Sequence, residues 1–525
     1  MKGGVFLRGN TDRTYNLLKR AQNPKYILIK DSFLVGLIVG IVIVIHRFIA
    51  SELGHLFTNI YLQVRKNILL IPLIFALLIV LGYIVAKQVK KEPMISGSGI
   101  PQVEGILTRR LKINWFTVLY NKFIGGLICL CAGLSVGREG PSVQMGACIG
   151  EGIAKKLNKL ENEEKYLITS GASAGLSAAF NAPLSGVMFA LEEAHKNFSP
   201  LVLLSAMIAS LTADFVSKHF FGIIPSLHFE GLVSLPLKYY WTLIILGITI
   251  GISGVLFNKG ILKTQSMFKK SKLSTEVKII IPFVITGIVG LILPILLGGG
   301  HELIISLQKS NFTIITLLTF IVIKFIFTFV SFGSGVPGGI FFPLLTLGAL
   351  VGNLVGLISI LYLGVPSTYL VNFIVLAMAG HFSAIVKAPI TAIILISEMT
   401  GSLEHLLSLS IVVLIAQLTS DLLKSHPIYE SLLDRLLSNG THKYEGSNKK
   451  TLLEVAVHMD SEMDGKCIKD IQWPNNCLVV AINRGAEEIL PDGSTEILAG
   501  DYLTLITEQS NTSDILEQVV ELAQV

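Results

Sequence analysis

Five apolar runs in this chain are each long enough to cross a lipid bilayer, and they restrict the fold more than any other feature. They occupy residues 32–50, 67–89, 238–258, 276–298 and 311–332, and a helix needs ~20 residues to span the hydrocarbon core. Only 15% of the 525 residues are charged, against roughly a quarter in soluble proteins. Because lipid offers the backbone no hydrogen bonds, such runs must form helices. We therefore predict a mostly α-helical, multi-pass membrane protein.

Other apolar runs are too short to span a bilayer, or are interrupted by glycine and proline. They lie at residues 142–155, 166–180, 184–194, 339–349, 366–380 and 385–400. Broken helices are tolerated inside a membrane only where the freed backbone groups are buried in protein or line a cavity. The mixture of full and broken helices is typical of a transporter core.

An internal repeat accompanies the broken helices. Residues 177–193 (SAAFNAPLSGVMFALEE) align with residues 383–399 (SAIVKAPITAIILISEM) at an offset of 206. A second alignment, at an offset of 202, pairs Gly137, Pro141, Gly146 and Gly150 with Gly339, Pro343, Gly348 and Gly352. Repeated halves with interrupted helices indicate a binding site near the membrane midplane, at the interface between the repeats.

Charge separates a basic body from an acidic tail. Residues 451–525 carry a net charge of −11, and residues 1–450 carry +17. The basic residues lie in loops between apolar runs, which argues against a nucleic-acid partner. We divide the chain into a cytosolic leader at 1–31, with a short helix near 12–21, a transmembrane domain at 32–435, a linker at 436–450 and a small cytosolic α+β domain at 451–525.

The tail is predicted to contain four short strands and a closing helix. The strands are LLEVAVHM, CLVVAINR, EEILP and DYLTLIT, separated by turn-forming PDGST and LAGD. The helix is SDILEQVVELA, residues 513–523, with Ser513 as its N-cap.

Three glycine-rich stretches are each expected to begin an apolar helix: GSGIP (97–101), GREGP (137–141) and GGIFFP (338–343). Helix N-termini present unpaired N–H groups and the positive end of the helix dipole, so several that converge can bind a dehydrated anion. The supporting backbone positions are Gly97, Gly99, Ile100, Gly137, Arg138, Gly140 and Gly339. The alternative interpretation is tight helix packing by small residues, which is common in membranes.

In order and spacing, these stretches resemble the three signature stretches of the CLC family of chloride channels and chloride/proton exchangers. The resemblance continues through SAAFNAPLSGVMFALEEAH, SAIVKAPITAIILISEMTG and SHPIYESLL and covers residues 30–435. It implies an inverted repeat of broken, tilted helices. The tail, from about residue 450, resembles the TrkA-C regulatory domain through GKCIKDIQWPNNCLVVAINR and LPDGSTEILAGDYLTLI.

The resemblance implies roles for individual residues. Chloride would be contacted by the hydroxyl groups of Ser98 and Tyr429 and by the backbone N–H groups of Ile340 and Phe341. Glu139 would be the gating glutamate, whose carboxylate competes with chloride for the same site. Glu193 would be the inner glutamate, which passes protons from the cytosol.

The repeat supports the choice of these two glutamates independently of the family. Glu192 has a glutamate, Glu398, at the matching position, so we expect a structural role for both. Glu139 and Glu193 instead align with apolar residues and break the symmetry. A charged Glu139 at a helix N-terminus can occupy the position of an anion, and a protonated one is released. One residue can therefore link proton and anion occupancy.

Three other charged residues lie in or beside apolar segments. A full charge on Arg138 would hold chloride too tightly for turnover, so we expect Arg138 to pair locally instead. Lys122 and Glu104 are predicted to form a buried pair.

The predicted function is secondary active exchange of chloride for protons, without enzymatic activity. The alternative is a passive voltage- or ligand-gated chloride channel of the same fold, although channels of the family usually lack an acid at the position of Glu193. Fluoride-exporting relatives carry methionine at the position of Ser98, so chloride is favoured. A cation transporter is disfavoured because helix N-termini offer donors where a cation needs acceptors. The intact glycine stretches also disfavour a ligand sensor with a membrane anchor.

The expected partners are chloride, protons, membrane lipid and a second copy of the chain. The resemblance implies a homodimer in the plasma membrane, with both termini cytosolic and one anion pathway in each subunit. No metal and no required cofactor are expected. The candidates for a regulatory ligand of the tail are adenine nucleotides, cyclic di-AMP or ATP; the alternative is a tail that only dimerises.

Overall fold

Helices make up the membrane part of the protein, as the apolar runs require. The computed structural model describes residues 24–438 and 450–524, apart from 197, 224, 228, 230–231, 310–311, 486 and 509–511. Within these residues, nine helices are long and apolar enough to cross a membrane. The predicted fold class, a mostly helical membrane protein with a small α+β domain, is confirmed. The helix predicted near residues 12–21 lies outside the described residues.

Sixteen of the described helices form two successive sets of eight. The first set is α1 (Pro24–Lys66), α2 (Ile71–Lys91), α3 (Ile100–Leu107), α4 (Trp115–Ala132), α5 (Glu139–Lys156), α6 (Glu161–Phe180), α7 (Pro183–Phe189) and α8 (Pro200–Phe221). The second set is α9 (Trp241–Lys270), α10 (Thr275–Ile292), α11 (His301–Lys309), α12 (Ile314–Gly333), α13 (Phe341–Tyr362), α14 (Leu370–Val386), α15 (Pro389–Thr400) and α16 (Leu406–Leu422). A short helix, α17 (Ile428–Leu437), ends the membrane part.

Each of the five long apolar runs lies largely within a helix, namely α1, α2, α9, α10 and α12. Besides α3, whose start is predicted by GSGIP, four of the sixteen helices contain none of the predicted apolar runs: α4, α8, α11 and α16. In α4 and α8, polar residues such as Asn121, Lys122 and Asp214 interrupt the apolar sequence. α7 continues into a single π-helical turn, Ala190–Ala194.

The two halves are inverted relative to each other, and two glutamates show this directly. Glu192, after α7, accepts hydrogen bonds from the backbone N–H and hydroxyl of Thr391 at the start of α15, at 2.8 and 2.7 Å. Glu398, near the end of α15, accepts the Ser185 N–H at the start of α7 at 2.8 Å. Because each carboxylate caps the other helix, α7 and α15 run antiparallel. The contacts agree with the structural role expected for both glutamates.

The bends before α7 and α15 also repeat between the halves. The C-cap residues of α6 and α14, Asn181 and Lys387, are both in the left-handed conformation, with φ of 57° and 70°. Pro183 and Pro389 then begin the next helices, where a missing N–H leaves no helical bond unmade. The matching bends confirm that the sequence repeat is a structural repeat.

The tail forms a four-stranded antiparallel sheet in the order β1-β4-β2-β3. Its strands are β1 (Lys450–Ala456), β2 (Cys477–Arg484), β3 (Glu487–Ile489) and β4 (Tyr502–Glu508). The closing helix, α18 (Thr512–Ala523), begins one residue before the predicted cap Ser513 and packs on β1. Buried Leu453, Leu503 and Val519 lie in a core separate from that of the membrane part.

Candidate anion-binding site

Backbone hydrogen bonds join the three glycine-rich stretches to one another. The Gly338 N–H donates to the Gly97 carbonyl at 3.0 Å, and the Gly97 N–H donates to Val336 at 3.1 Å. Gly137 and Gly339 exchange two bonds, of 2.7 and 2.8 Å. We call these four bonds the glycine seam. The seam brings stretches from both halves of the chain to one place, where α3, α5 and α13 begin.

Two glycines are required by how closely the stretches approach each other. Gly99 precedes α3 with a φ of +94°, and a Cβ there would lie 2.6 Å from the Cβ of Gln144. A Cβ on Gly140 would lie 2.7 Å from the carbonyl oxygen of Ser98. A residue with a side chain at either position would push the GSGIP stretch away from α5. The two glycines therefore allow GSGIP and α5 to lie in direct contact.

The three helix N-termini supply N–H groups at this point. α3 begins at Ile100, α5 at Glu139 and α13 at Phe341, with Ile340 as the N-cap residue. The first amides of a helix have no partner within the helix. Since the Gly338 and Gly339 amides are used in the seam, Ile340 and Phe341 carry the next amides of that stretch. Their predicted contact with chloride stays a prediction.

The Glu139 side chain lies at this junction and is only 1% exposed. Its carboxylate interacts with the Phe342 amide of α13 and with its own amide. Oε2 makes no hydrogen bond of standard geometry within the described residues. Arg138 is a distant partner, with its Nε 3.9 Å from Oε1. The carboxylate therefore lies at two helix N-termini, where an anion would also be attracted, and beside the Arg138 guanidinium.

Two hydroxyl groups face the same region. Ser98 is 2% exposed and Tyr429, on α17, is completely buried. The Tyr429 hydroxyl interacts with Ser98 and, electrostatically, with Glu139 and Glu193. Neither hydroxyl oxygen makes a hydrogen bond of standard geometry to any described residue. Buried hydroxyls without partners cost about 1–3 kcal/mol each, so their occurrence together with Glu139 indicates a site for a polar or ionic ligand.

Glu193 lies in the π-helical turn after α7 and is 4% exposed. Its neighbours are charged: Lys196, Glu104 and Glu430 act on it electrostatically. The Lys196 Nζ lies 2.7 Å from Glu104 Oε1 and is also bonded to Glu430. This cluster was not predicted from the sequence, although Lys196, three residues after Glu193, could have indicated a charged partner there.

The predicted pair of Lys122 and Glu104 is wrong. Lys122 donates instead to the carbonyl oxygens of Ile95 and Gly97, at 2.8 and 2.7 Å, while Glu104 pairs with Lys196. Backbone carbonyls at the end of a short 3₁₀ turn can hold a buried ammonium as well as a carboxylate can.

A second buried lysine repeats this arrangement in the other half. Lys324 donates to the carbonyls of Leu296 and Gly298, at 2.9 and 2.7 Å. Each lysine thus fixes the loop that precedes a short helix, α3 for Lys122 and α11 for Lys324. The Lys122 loop carries Ser98, so this lysine supports the candidate site directly.

A cavity of about 350 Å³ leads from Ser98 towards the end of α9 and the start of α10. Three of its lining residues are basic: Lys269, Lys278 and Arg435. The Arg435 guanidinium is held by the Leu262 carbonyl at 2.7 Å. A basic cavity that ends at Ser98 is a suitable approach for a small anion.

The pattern of the family described as voltage gated chloride channel matches residues 76–421, and that of the TrkA-C domain matches residues 452–519. The H(+)/Cl(-) exchange transporter ClcA of Salmonella paratyphi B is 34% identical over 450 residues, which cover 83% of this chain and 94% of the relative. That of Salmonella typhimurium is 35% identical over 439 residues, covering 81% and 92%.

Solved structures show the same fold. A slow cyanobacterial Cl-/H+ antiporter superposes with a TM-score of 0.74 at 30% identity, covering 78% of this chain and 98% of that one. A eukaryotic CLC transporter superposes with a TM-score of 0.67 at 21% identity, covering 79% and 75%, which bears on the fold alone.

Proposed function

We propose that this chain, which belongs to the voltage-gated chloride channel family, exchanges chloride for protons across a membrane. The family membership and the TrkA-C domain confirm both resemblances drawn from the sequence motifs. The observation that carries the proposal is the position of Glu139, a buried carboxylate held by helix N-termini beside the hydroxyls of Ser98 and Tyr429. The names of the relatives, which are chloride/proton exchangers, support the same function.

The proposed mechanism follows from competition for the helix N-termini. An ionised Glu139 occupies the place that chloride would take, because both are attracted by the same N–H groups. Protonation removes the negative charge, so the side chain leaves and chloride binds between Ser98, Tyr429 and the amides of Ile340 and Phe341. The return of Glu139 to the site requires that it lose the proton and that chloride depart. Glu193 supplies and receives protons on the other side of the site.

The test is proton movement driven by a chloride gradient in vesicles that contain only the purified protein. We expect uphill proton movement in the wild type and none in Glu139→Gln or Glu193→Gln. Chloride flux without proton movement would make the protein a passive channel, the alternative that the buried acid Glu193 disfavours. No chloride flux at all would contradict both functions.

We further propose a homodimer in the plasma membrane, with both termini in the cytosol and an anion pathway in each subunit. The basic N-terminal segment, with Lys25 and Lys30 before the apolar part of α1, supports an inside N-terminus. Cross-linking and accessibility of single cysteines placed at the two ends would test the dimer and the orientation.

For the TrkA-C domain we propose a regulatory role with an adenine nucleotide, cyclic di-AMP or ATP, as the ligand, and no cofactor required for transport. The support is the domain family alone. The full-length protein should show a rise in melting temperature with one nucleotide and not with inorganic phosphate. If neither nucleotide changes the melting temperature or the transport rate, the regulatory role is contradicted, and dimerisation is the role that we would assign to the domain.

A further inference from the structure

Charged side chains from three elements meet beside Glu193. Glu104 lies on α3, Lys196 follows the π-helical turn that contains Glu193, and Glu430 lies on α17. Lys196 Nζ bonds to both Glu104 Oε1, at 2.7 Å, and Glu430. α3 packs against both the π-helical turn and α17, and Lys196, Glu104 and Glu430 all act electrostatically on Glu193, so the four groups form one cluster.

The members of the cluster differ in their exposure to solvent. The Glu430 side chain is 46% exposed and that of Lys196 37% exposed, whereas that of Glu104 is only 6% exposed. Glu193 is 4% exposed. The cluster therefore has two exposed members, Glu430 and Lys196, and two buried members, Glu104 and Glu193, and Glu104 is the buried member that is bonded to the exposed pair through Lys196.

Two oxygen atoms in the cluster have no hydrogen-bond partner among the residues that the structure describes. They are Glu104 Oε2 and Glu193 Oε1, and both are buried. Lys196 uses only the other oxygen of Glu104, Oε1. A buried carboxylate oxygen without a partner is costly unless it binds something, and a proton is the ligand that both atoms can take.

We propose that Glu104 is a third proton-carrying residue, beside Glu139 and Glu193, which passes protons between water and Glu193, and that Lys196 is the residue that positions it. This inference rests on the proposed chloride/proton exchange. A hydronium ion in the exposed part of the cluster transfers a proton to Glu104 Oε2, where an O–H bond forms and a water molecule remains. That O–H bond then breaks as Glu193 takes the proton, and Glu104 returns to its ionised form. No electron transfer is involved, and Lys196 keeps its own protons.

The position of Lys196 fits this role. Its backbone is left-handed, with a φ of 53°, which is unfavourable for a residue with a side chain. This conformation turns the chain at the end of the π-helical turn, and the ammonium group bridges α3 and α17. The bridge fixes the orientation of the Glu104 carboxylate, so that Oε2 rather than Oε1 is available for a proton.

The experiment measures proton flux and chloride flux separately in vesicles containing Glu104→Gln. Glutamine keeps the shape and can still accept the Lys196 bond, but it cannot carry a proton. We expect proton flux to fall at least about tenfold while chloride flux changes less than about threefold, because a positioned proton carrier typically contributes this much or more. Glu104→Asp, which keeps a carboxyl group, should restore part of the proton flux.

Glu276→Gln is the matched control, since Glu276 also pairs with a lysine, Lys90, at 2.9 Å but lies outside the cluster. Proton flux and chloride flux in Glu276→Gln should equal those of the wild type. For the positioning role, Lys196→Met should lower proton flux more than chloride flux, and Lys196→Arg should restore it.

The outcomes separate this inference from the proposed function. A wild type without coupled proton movement would overturn the exchange, and this inference with it. A wild type that couples, together with Glu104→Gln at full proton flux, would overturn only the role of Glu104. Equal loss of both fluxes that is not relieved by a higher proton concentration, in a variant that is still dimeric and binds chloride, would overturn the role of Glu104 as proton carrier.

Discussion

Two buried hydroxyl groups, on Ser98 and Tyr429, make no hydrogen bond of standard geometry to the described residues, and this gives a prediction at the residue scale. If they bind chloride, Ser98→Ala should raise the chloride dissociation constant about tenfold, because a hydrogen bond to a charged group contributes roughly 1.5–3 kcal/mol. Isothermal titration with chloride would measure it. Ser142→Ala is the control, since the Ser142 hydroxyl bonds to the Arg138 carbonyl at 2.9 Å. Equal affinity in the wild type and Ser98→Ala would place chloride elsewhere.

The paired lysines give a second residue-scale prediction with an internal control. Lys324→Met removes the lysine donor from the carbonyls of Leu296 and Gly298. Lys122→Met removes it from the Ile95 carbonyl, while the Gly97 carbonyl keeps the Gly338 N–H. A buried carbonyl left without a donor costs about 1–3 kcal/mol. Both variants should therefore unfold at lower temperatures. Chloride affinity should fall for Lys122→Met, whose loop carries Ser98, and should change less for Lys324→Met. An equal loss of affinity in both would show that the two loops support the site equally.

The same lysine shows where prediction from sequence fails. A buried lysine at position 122 was expected to pair with an acid, and Glu104 was chosen because it also is a charged residue in or near a membrane segment. Its actual partners are carbonyl oxygens, and every residue has one, so no sequence pattern marks them. The glycine and proline pattern was more informative, because backbone conformation restricts which residues fit at Gly99 and Gly140.

At the scale of helices, the reciprocal caps give a third prediction. Glu192→Ala and Glu398→Ala each remove a charged cap from the other half's helix, and we expect each to cost about 0.5–2 kcal/mol of stability. Thermal unfolding of the purified protein would measure it. Because the caps are symmetric, the two losses should be similar. An unchanged melting temperature in either variant would mean that the contact between α7 and α15 does not depend on that cap.

At the scale of helices, hydropathy predicted the membrane helices best where the apolar residues were continuous in the sequence. α4 and α8 contain lysine, asparagine or aspartate, and these side chains have partners within the protein: Asn121 donates to the Thr117 carbonyl, and Asp214 pairs with Lys218 through Oδ2. A helix that packs among other helices can carry such residues. Hydropathy alone underestimates these helices, because it does not record which face meets lipid.

At the scale of the whole molecule, the cavity that ends at Ser98 gives a fourth prediction. Lys278 lines it, so Lys278→Gln should lower chloride flux from that side about two- to threefold at low salt, through weaker electrostatic attraction. The effect should shrink at higher ionic strength, as the screening length falls from about 10 Å at 0.1 M to about 3 Å at 1 M. The control is Lys272→Gln, an exposed lysine outside the cavity. A salt-independent effect would indicate a structural role instead.

The glycine seam has a consequence for how the molecule is made. Two of its bonds join Gly137 to Gly339 and another joins Gly97 to Gly338, so each half of the chain supplies one edge. A half synthesised alone has its helix N-termini but lacks the opposite edge that brings them together. The candidate site is therefore formed only when the two halves dock, and the first half alone, on leaving the ribosome, does not contain it.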